Sequence, residues 1–509
     1  MGRQDAKDSL DIKFAAATAK NEQYGDWFRD PWGWPELSYL ANHPDLVVSR
    51  ISDSARVFEL LDVPKHNFGT RPAVVMCPAD RMIYHALVNR ISAKICAEMS
   101  GFVFGWRLPR PPDKSSHYLN NGQEWLELIA RRREYADDCG AVLSTDVTNF
   151  FASIPPQGLV DRLHDEVGSS DVLDYLEVFL ETYRRTPART GIPQRSLASA
   201  LLANCYIRPV DDVLRGFQNR RGIKALRWMD DIWAFCPDPD VAREIQLDIQ
   251  RELRSIELEI NLGKTRVVEG PGVQDFLADH ELEREEPTVQ VAPSGSRYVS
   301  NGSVEDLDRA ANRLISEPEN ADRTMIRYVC SRIVGLEQWH WIPRILEVVP
   351  RSLHGADHYS RMIRTSGRSR ELESWYLDLT QSSIVNRLPW AQAQLALMFP
   401  QNSKFPKVSE FLLRRLEGSV SDLDLVTTAG RLVAAWDRDN AISVLRQLGE
   451  RPGTPLVARS LALTLHSLSR DRKRVRSLLG AYRETEATLR MLEDGNFKPL
   501  KETKDFAGA

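Results

Sequence analysis

"ALRWMDDIWAF", residues 225–235, sets two aspartates side by side between two runs of apolar and aromatic residues. Taking an ionised carboxylate out of water is costly unless it is paired or bound to a metal, and two adjacent ones compound the problem. An acidic pair in a polar loop needs no such compensation, and Asp137 and Asp138 in "EYADDCG" read as a solvated turn. The flanks of Asp230 and Asp231 differ. "ALRW" and "IWAF" are short, apolar and aromatic, with a polar hinge between them, which predicts a tight β-hairpin carrying both carboxylates at its tip.

A third carboxylate stands in "AVLSTDVTNFFASI", residues 141–154, where an apolar strand runs into Asp146, followed by Phe150 and Phe151. A strand ending there places Asp146 at the rim of a sheet, where a neighbouring hairpin tip could meet it. Three carboxylates at one edge repel one another unless divalent cations sit among them. An all-oxygen donor set suits Mg²⁺, or Mn²⁺ in its place, and offers nothing to a softer metal. Two such ions about 4 Å apart can activate a 3′-hydroxyl and stabilise a departing pyrophosphate.

A chain of 509 residues is too long for one ordinary core and predicts two or three domains. Hydrophobic content of 42% and charged content of 27% are those of a globular protein, and a net charge of −4 means that any polyanion site must come from local clustering. No apolar run approaches the roughly 18 residues that span a bilayer, and "MGRQDAKDSLDIKF" lacks the apolar core of a signal peptide, so a cytoplasmic protein with no membrane partner is expected. Six cysteines without C-x-x-C spacing indicate neither a zinc site nor a disulfide framework. The absence of H-E-x-x-H, G-x-x-x-x-G-K-[ST] and G-x-S-x-G removes the main support for zincin, P-loop and hydrolase readings.

The texture of the sequence changes along its length. Residues 1–65 read as an aromatic-rich arm whose "DWFRDPWGWPELSYL" holds Trp27, Trp32 and Trp34 among prolines that forbid a continuous helix. Such tryptophans are buried anchors or, on a sharper reading, a stacking platform for bases. Residues 66–280 alternate strand-like and helix-like pieces around a small sheet, an α+β fold of the split βαβ kind. Residues 281–304 have the composition of a connector, and residues 305–509 are short amphipathic helices joined by short turns, which predicts a degenerate helical repeat array without an evident period.

Four stretches, "TDVTNFFASI", "GIPQRSLASALLANCYI", "RWMDD" and "LEINLGKT", resemble motifs A, B, C and D of reverse transcriptases, in that order. The second is similar to the group II intron and retron enzymes, and "RPAVVMCPADRMIYHALV" and "GFVFGWRLPR" look like their fingers segments. The resemblance implies a right-hand polymerase palm and fingers in which Asp146, Asp230 and Asp231 bind the metal ions. It implies that Phe151 lies under the sugar of the incoming nucleotide and excludes a 2′-hydroxyl, that Gln194 touches that nucleotide, and that Ser199 and Asn204 support the helix behind it. Arg71 and Arg81 become candidate triphosphate ligands and Lys264 a candidate proton donor to pyrophosphate. Plain alternatives accompany these roles: Phe151 as core, Arg81 paired with an acid on its own helix, Lys264 as a solvated lysine, Ser199 and Asn204 as structural residues.

Two departures stand out. Arg195 occupies a position where the family usually has glycine, and Trp228 one where it usually has tyrosine or phenylalanine, which puts processive copying of long templates in doubt. A palm followed by a long helical array is similar to the abortive-infection and defence-associated reverse transcriptases of bacteria. The basic runs "RSLHGADHYSRMIRTSGRSR" and "SRDRKRVRS", with Arg470, Arg472, Lys473, Arg474 and Arg476, fit phosphate contact or a solvated face.

The function expected is RNA-directed DNA synthesis from dNTPs in anti-phage defence, with a structured RNA as template or scaffold, a DNA product and a homo-oligomeric assembly. Two alternatives stay open. One is template-independent synthesis primed by a tyrosine such as Tyr298, Tyr328, Tyr359, Tyr376 or Tyr482. The other is an inactive palm serving as a nucleic-acid-binding scaffold.

Overall fold

The computed structural model describes residues 10–22, 26–53, 56–109, 118–185, 191–277, 289–291, 297–299, 303–418, 422–448, 453–469 and 471–497. Most of the expected connector, 281–304, and Arg470 lie outside the described residues. Among the described residues the strands are Phe58–Pro64 (β1), Thr70–Met76 (β2), Val103–Phe104 (β3), Ala141–Thr145 (β4), Lys224–Trp228 (β5), Asp231–Cys236 (β6), Arg266–Glu269 (β7), Val289–Val291 (β8) and Arg297–Val299 (β9). The described chain divides into two compact units, each discontinuous in sequence: Met1–Gly25, Leu40–Arg56 and Pro78–Leu282 in the first, Asp26–Tyr39, Val57–Cys77 and Glu283–Ala509 in the second.

In the first unit five strands form one sheet in the order β3-β5-β6-β4-β7, with β3 parallel to β5 and the other neighbours antiparallel. β4 and β5 therefore run the same way with β6 inserted between them, which is the split βαβ arrangement. The helix Pro239–Ser255 packs on β4, β6 and β7, and the helix Asn121–Asp137 on β3 and β5. Trp125 and Leu128 of the helix Asn121–Asp137 form one core cluster with Phe104, Val142, Leu226, Trp233 and Phe235 of the sheet. The helix Pro78–Ala97 has buried residues on nearly every side because the helices Ile12–Glu22, Asp171–Arg184 and Leu197–Tyr206 all pack against it.

In the second unit β1 and β2 pair antiparallel, and the other regular elements among the described residues are helices apart from the β8–β9 pair. Five helices begin at Arg323, Ala356, Pro389, Leu423 and Pro455, which are 33, 33, 34 and 32 residues apart, and each packs against the next. The segment Asp26–Tyr39 is bound to this unit through Arg459, which donates to both Asp30 and Glu36 at 2.7–3.1 Å. Trp27, Trp32 and Trp34 are all buried, and the Arg459 guanidinium lies 4.4 Å from the centre of the Trp34 ring. They are anchors, and the platform reading fails because their faces are covered. The segment read from composition as one arm, residues 1–65, is thus shared between the two units, since specific ion pairs and ring contacts decide where each piece packs. Among the described residues no helix is long and apolar enough to cross a membrane, and all six cysteines are free.

Candidate active site

The hairpin expected from "ALRWMDDIWAF" is present. Trp228 pairs with Asp231 and Arg227 with Ile232, so the connection between β5 and β6 is the two-residue turn Met229–Asp230. Met229 has φ 56°, the left-handed region that glycine usually fills at the first position of such a turn. The turn is held from behind. Arg227, fully buried, grips both oxygens of Asp211 at 2.6 and 2.7 Å, and its Nη1 donates to Met229 O at 2.9 Å and to Asn204 Oδ1 at 2.8 Å. Trp228 packs edge-on against Trp106 and Trp125, with centroids 5.2 and 5.0 Å away, and its ring lies 3.2 Å from where a Cβ on Gly105 would stand.

Asp146 meets this turn through the register of the sheet. Thr145 pairs with Ile232, so the antiparallel ladder carried on by one residue sets Asp146 beside Asp231. On its other side the segment of Leu258–Asn261 runs antiparallel, with Asn261 N donating to Asp146 O at 2.8 Å and Thr148 N to Glu259 O at 2.9 Å. The chain then turns at Asn261–Lys264 and brings Lys264 Nζ onto Asp146 Oδ2. Thr265 Oγ1 and Thr145 Oγ1, 2.7 Å apart, pin the turn to the end of β4.

Charge in this rim is unbalanced. Burial, then the neighbouring charges of Asp231 and Asp146, push the Asp230 carboxyl up to about 7. Asp146 is also raised, by burial first and by Asp231, against the lowering influence of Lys264. Desolvation works to lower the Lys264 pKa, but the hydrogen bond and charge of Asp146, with Asp231 and Asp230 behind it, hold the ammonium above its ordinary value. Asp146 Oδ1 is buried with no hydrogen-bond partner among the described residues. An orphaned buried carboxylate oxygen beside two further carboxylates fits a hard divalent cation. The side chains are not arranged as a closed ligand cage: among the described residues no group of three or more His, Cys, Asp or Glu is drawn together tightly enough to hold a metal ion. Lys264 is the counter-charge present.

The other residues expected at the site divide. Phe151 is half-buried, edge-on to Phe150 with centroids 5.5 Å apart, and Gln194 is half-buried in the turn before the helix Leu197–Tyr206. Ser199 and Asn204, expected to support the helix behind Gln194, point into the protein: Ser199 Oγ lies 2.8 Å from Tyr84 Oη, and Asn204 binds Arg227 and Gly105 O. The helix that carries them is packed on every side, so its polar side chains serve its own support. Arg81, expected to bind triphosphate, is buried with Nη1 3.8 Å from Glu22 Oε1, an acid on a different helix from its own. Arg71 belongs to β2 of the second unit, where its guanidinium lies 5.4 Å from the centre of the Trp27 ring. Among the candidate priming tyrosines, Tyr359 and Tyr376 are fully buried and hydrogen-bonded to Ser352 and to Gln392 O. Their hydroxyls cannot reach a nucleotide without unfolding. The side chain of Tyr298 lies outside the described residues, and Tyr328 and Tyr482 are half-buried.

Three supporting residues escaped the sequence reading. Arg227 had a signal, since a cation inside a strand that reads as buried must have a partner. Gly191, at φ 70°, backs so closely onto the chain that a Cβ would stand 2.0 Å from Phe151 O, and Ile192 N donates to that same oxygen at 2.9 Å. This contact ties the Gln194 turn to Phe151. Glu22 accepts from Ser196 Oγ at 3.0 Å and Leu197 N at 2.9 Å and lies 2.7 Å from His85 Nε2, joining three helices. Nothing local in "AKNEQY" marks it.

Residues 63–296 match the profile of the family described as reverse transcriptase (RNA-dependent DNA polymerase). These residues, a little under half of the chain, are thus similar to a reverse transcriptase domain. By class that domain is an RNA-directed DNA polymerase, a nucleotidyltransferase, and such domains bind nucleotides and a nucleic-acid template and generally use divalent metal ions, typically Mg²⁺. Among solved structures the chain is similar to telomerase from Candida albicans in complex with a TWJ fragment of telomeric RNA, at 10% identity and a TM-score of 0.32, over 85% of this chain and 66% of that one. The chain therefore spans less than two thirds of that relative's length, and the likeness is too slight to establish a common fold. A search of the curated proteins found no match.

Proposed function

We propose that this domain is a working polymerase, adding dNTPs to a 3′-hydroxyl under the direction of an RNA template. The observation that carries this reading is the convergence of Asp146 with the Asp230–Asp231 turn at one rim of the sheet, together with the buried Asp146 Oδ1, which has no hydrogen-bond partner among the described residues. Asp146, Asp230 and Asp231 would hold two divalent ions, which when bound supply activation of the 3′-hydroxyl and charge neutralisation at the leaving pyrophosphate. Protein groups do the rest. Lys264, kept protonated by the carboxylates, supplies a proton toward the departing pyrophosphate. Phe151, fixed by Gly191 behind it, bars a ribose 2′-hydroxyl, and Gln194 contacts the nucleotide from the adjoining turn.

The wider reading is a role in bacterial anti-phage defence, with a structured RNA as partner and a homo-oligomer as the assembly. It is supported by the order of parts, a palm followed by a long helical region, and the helix starts about one regular interval apart favour a repeat array there. The test is incorporation of each labelled dNTP by purified protein with Mg²⁺, with and without co-expressed RNA, beside Asp230→Ala/Asp231→Ala. Incorporation by the wild type alone, with products that track an RNA sequence, is the expected result. Random or homopolymeric products would point to untemplated synthesis, and silence from both proteins would sink the polymerase reading.

A further inference from the structure

The register that pairs β4 with β7 carries on past the ladder. Ser144 pairs with Arg266, so the next two positions set Thr145 opposite Thr265 and Asp146 opposite Lys264. Successive side chains of a strand point to opposite faces, which puts these two cross-strand pairs on opposite sides of the sheet. Both pairs are closed: the threonine hydroxyls are 2.7 Å apart, and the Lys264 ammonium rests on Asp146 Oδ2. β7 is a four-residue edge strand with no fully buried side chain, so packing does little to hold its register.

The threonine pair has a direction. Thr265 Oγ1 donates its one proton to Asn261 O at 2.8 Å, a carbonyl that can only accept. Thr145 is therefore the donor at 2.7 Å, and the bonds run from Thr145 to Thr265 to Asn261. Thr145 is buried, where a hydroxyl without a partner is costly. The Asn261 carbonyl also accepts from Lys264 N at 3.1 Å and from Thr265 N at 3.0 Å, while Asn261 N donates to Asp146 O at 2.8 Å. One residue thus joins the backbone of the first carboxylate to the turn that bears the lysine. The Lys264 side chain is 61% exposed, so its ammonium depends for its place on that turn and on Asp146. A hydroxyl pair that served the sheet alone would end on a neighbouring strand; this one ends on the turn.

We propose that Thr145, Thr265 and Asn261 are positioning residues that hold the Lys264 turn in the register from which its ammonium reaches the leaving pyrophosphate. That role rests on the polymerase reading; the clamp itself rests on the bonds above. In the step concerned, the 3′-oxygen bonds to the α-phosphorus as the bond from that phosphorus to the pyrophosphate oxygen breaks. The 3′-hydroxyl proton passes to water, and Lys264 gives its proton to the departing oxygen and regains one from water.

The test compares Thr265→Val, which keeps the shape and removes both bonds, with Thr265→Ser, which keeps both. Hydrogen–deuterium exchange read by mass spectrometry needs neither template nor dNTP. Exchange over residues 258–266 should quicken roughly tenfold in Thr265→Val and return to wild type in Thr265→Ser, with β6 unchanged as the control for folding. Unchanged exchange in Thr265→Val would overturn the clamp. If β6 loosens as well, Thr145→Val, which removes only the first bond of the chain, takes the same test. In incorporation assays kcat for Thr265→Val should fall roughly tenfold with KM for dNTP unchanged, short of the hundredfold or more lost with the acid itself in Lys264→Met. Analogues whose β,γ-bridge is methylene, fluoromethylene or difluoromethylene grade the basicity of the leaving group. The rate of Thr265→Val should depend on that basicity more steeply than the wild type's, and Thr265→Ser should restore the wild-type slope. A variant with faster exchange but the wild-type rate and slope overturns the positioning role and leaves the polymerase reading intact. A wild type that incorporates nothing, with exchange still quickened by Thr265→Val, does the reverse: the clamp stands and the polymerase reading falls.

Discussion

Two fully buried arginines, one in each unit, are used differently. Arg459 faces two carboxylates, Asp30 and Glu36, and its four hydrogen bonds fasten a segment of the N-terminal region to a helix more than four hundred residues later. Arg227 faces one carboxylate, Asp211, and spends its remaining donor on Asn204 and on the carbonyl of Met229, the residue before Asp230. Arg459 is an architectural tie whose loss is felt by the fold. Arg227 is a positioning residue, because its last bond ends on the turn that carries a proposed metal ligand. Burial and charge alone do not distinguish them; the far end of the hydrogen-bond chain does.

The largest expected effect is at the tie. Arg459→Ala leaves Asp30 and Glu36 buried without their cation, and removing one partner of a buried pair destabilises by roughly 3–5 kcal/mol. Urea unfolding followed by far-ultraviolet circular dichroism should show the midpoint falling sharply. A shift within error would mean that water reaches those acids and that Arg459 is no tie.

At Arg227 the expected loss is smaller in stability and clearer in rate. Arg227→Lys keeps the charge beside Asp211 but gives up the fork that also reaches Met229 O and Asn204 Oδ1, a change of about 1–3 kcal/mol. Incorporation should then fall in kcat with KM for dNTP little changed, since the turn and not the nucleotide pocket is released. Equal losses at Arg227→Lys and at an Arg459 variant, in rate as in stability, would erase the distinction between the two residues.

How much of this was legible in the sequence follows from the range of the interactions. The β5–β6 turn, the strand into Asp146 and the approach of Lys264 rest on local alternation and on short turns, and the sequence pattern announces them. The allocation of Asp26–Tyr39 to the helical unit rests on Arg459, and no local pattern points across that distance. The partners of Ser199 and Asn204 were hidden for a different reason: the helix Leu197–Tyr206 has no solvent face, so periodicity could not say which way its polar residues turn. The regular spacing of the helix starts was hidden because those five helices vary from 8 to 14 residues in length and share no repeated residue pattern.

The smallest effect tests the departure that the sequence displayed most openly. Arg195 follows Gln194 where glycine is usual, and its φ is 65°, in the left-handed region that a side chain occupies at a penalty of about 1–2 kcal/mol. The backbone thus keeps the conformation that glycine would suit, while the residue has changed. Arg195→Gly should relieve that strain but loosen the unfolded chain, leaving a net gain in stability of no more than about 1 kcal/mol. If strain is all that Arg195 contributes, dNTP incorporation will be unaltered as the melting temperature rises slightly. If KM for dNTP rises instead, the exposed guanidinium is acting on the nucleotide, and the strained turn is retained for its charge. The second outcome would give the palm an arginine of a third kind, neither tie nor positioner, one that touches substrate.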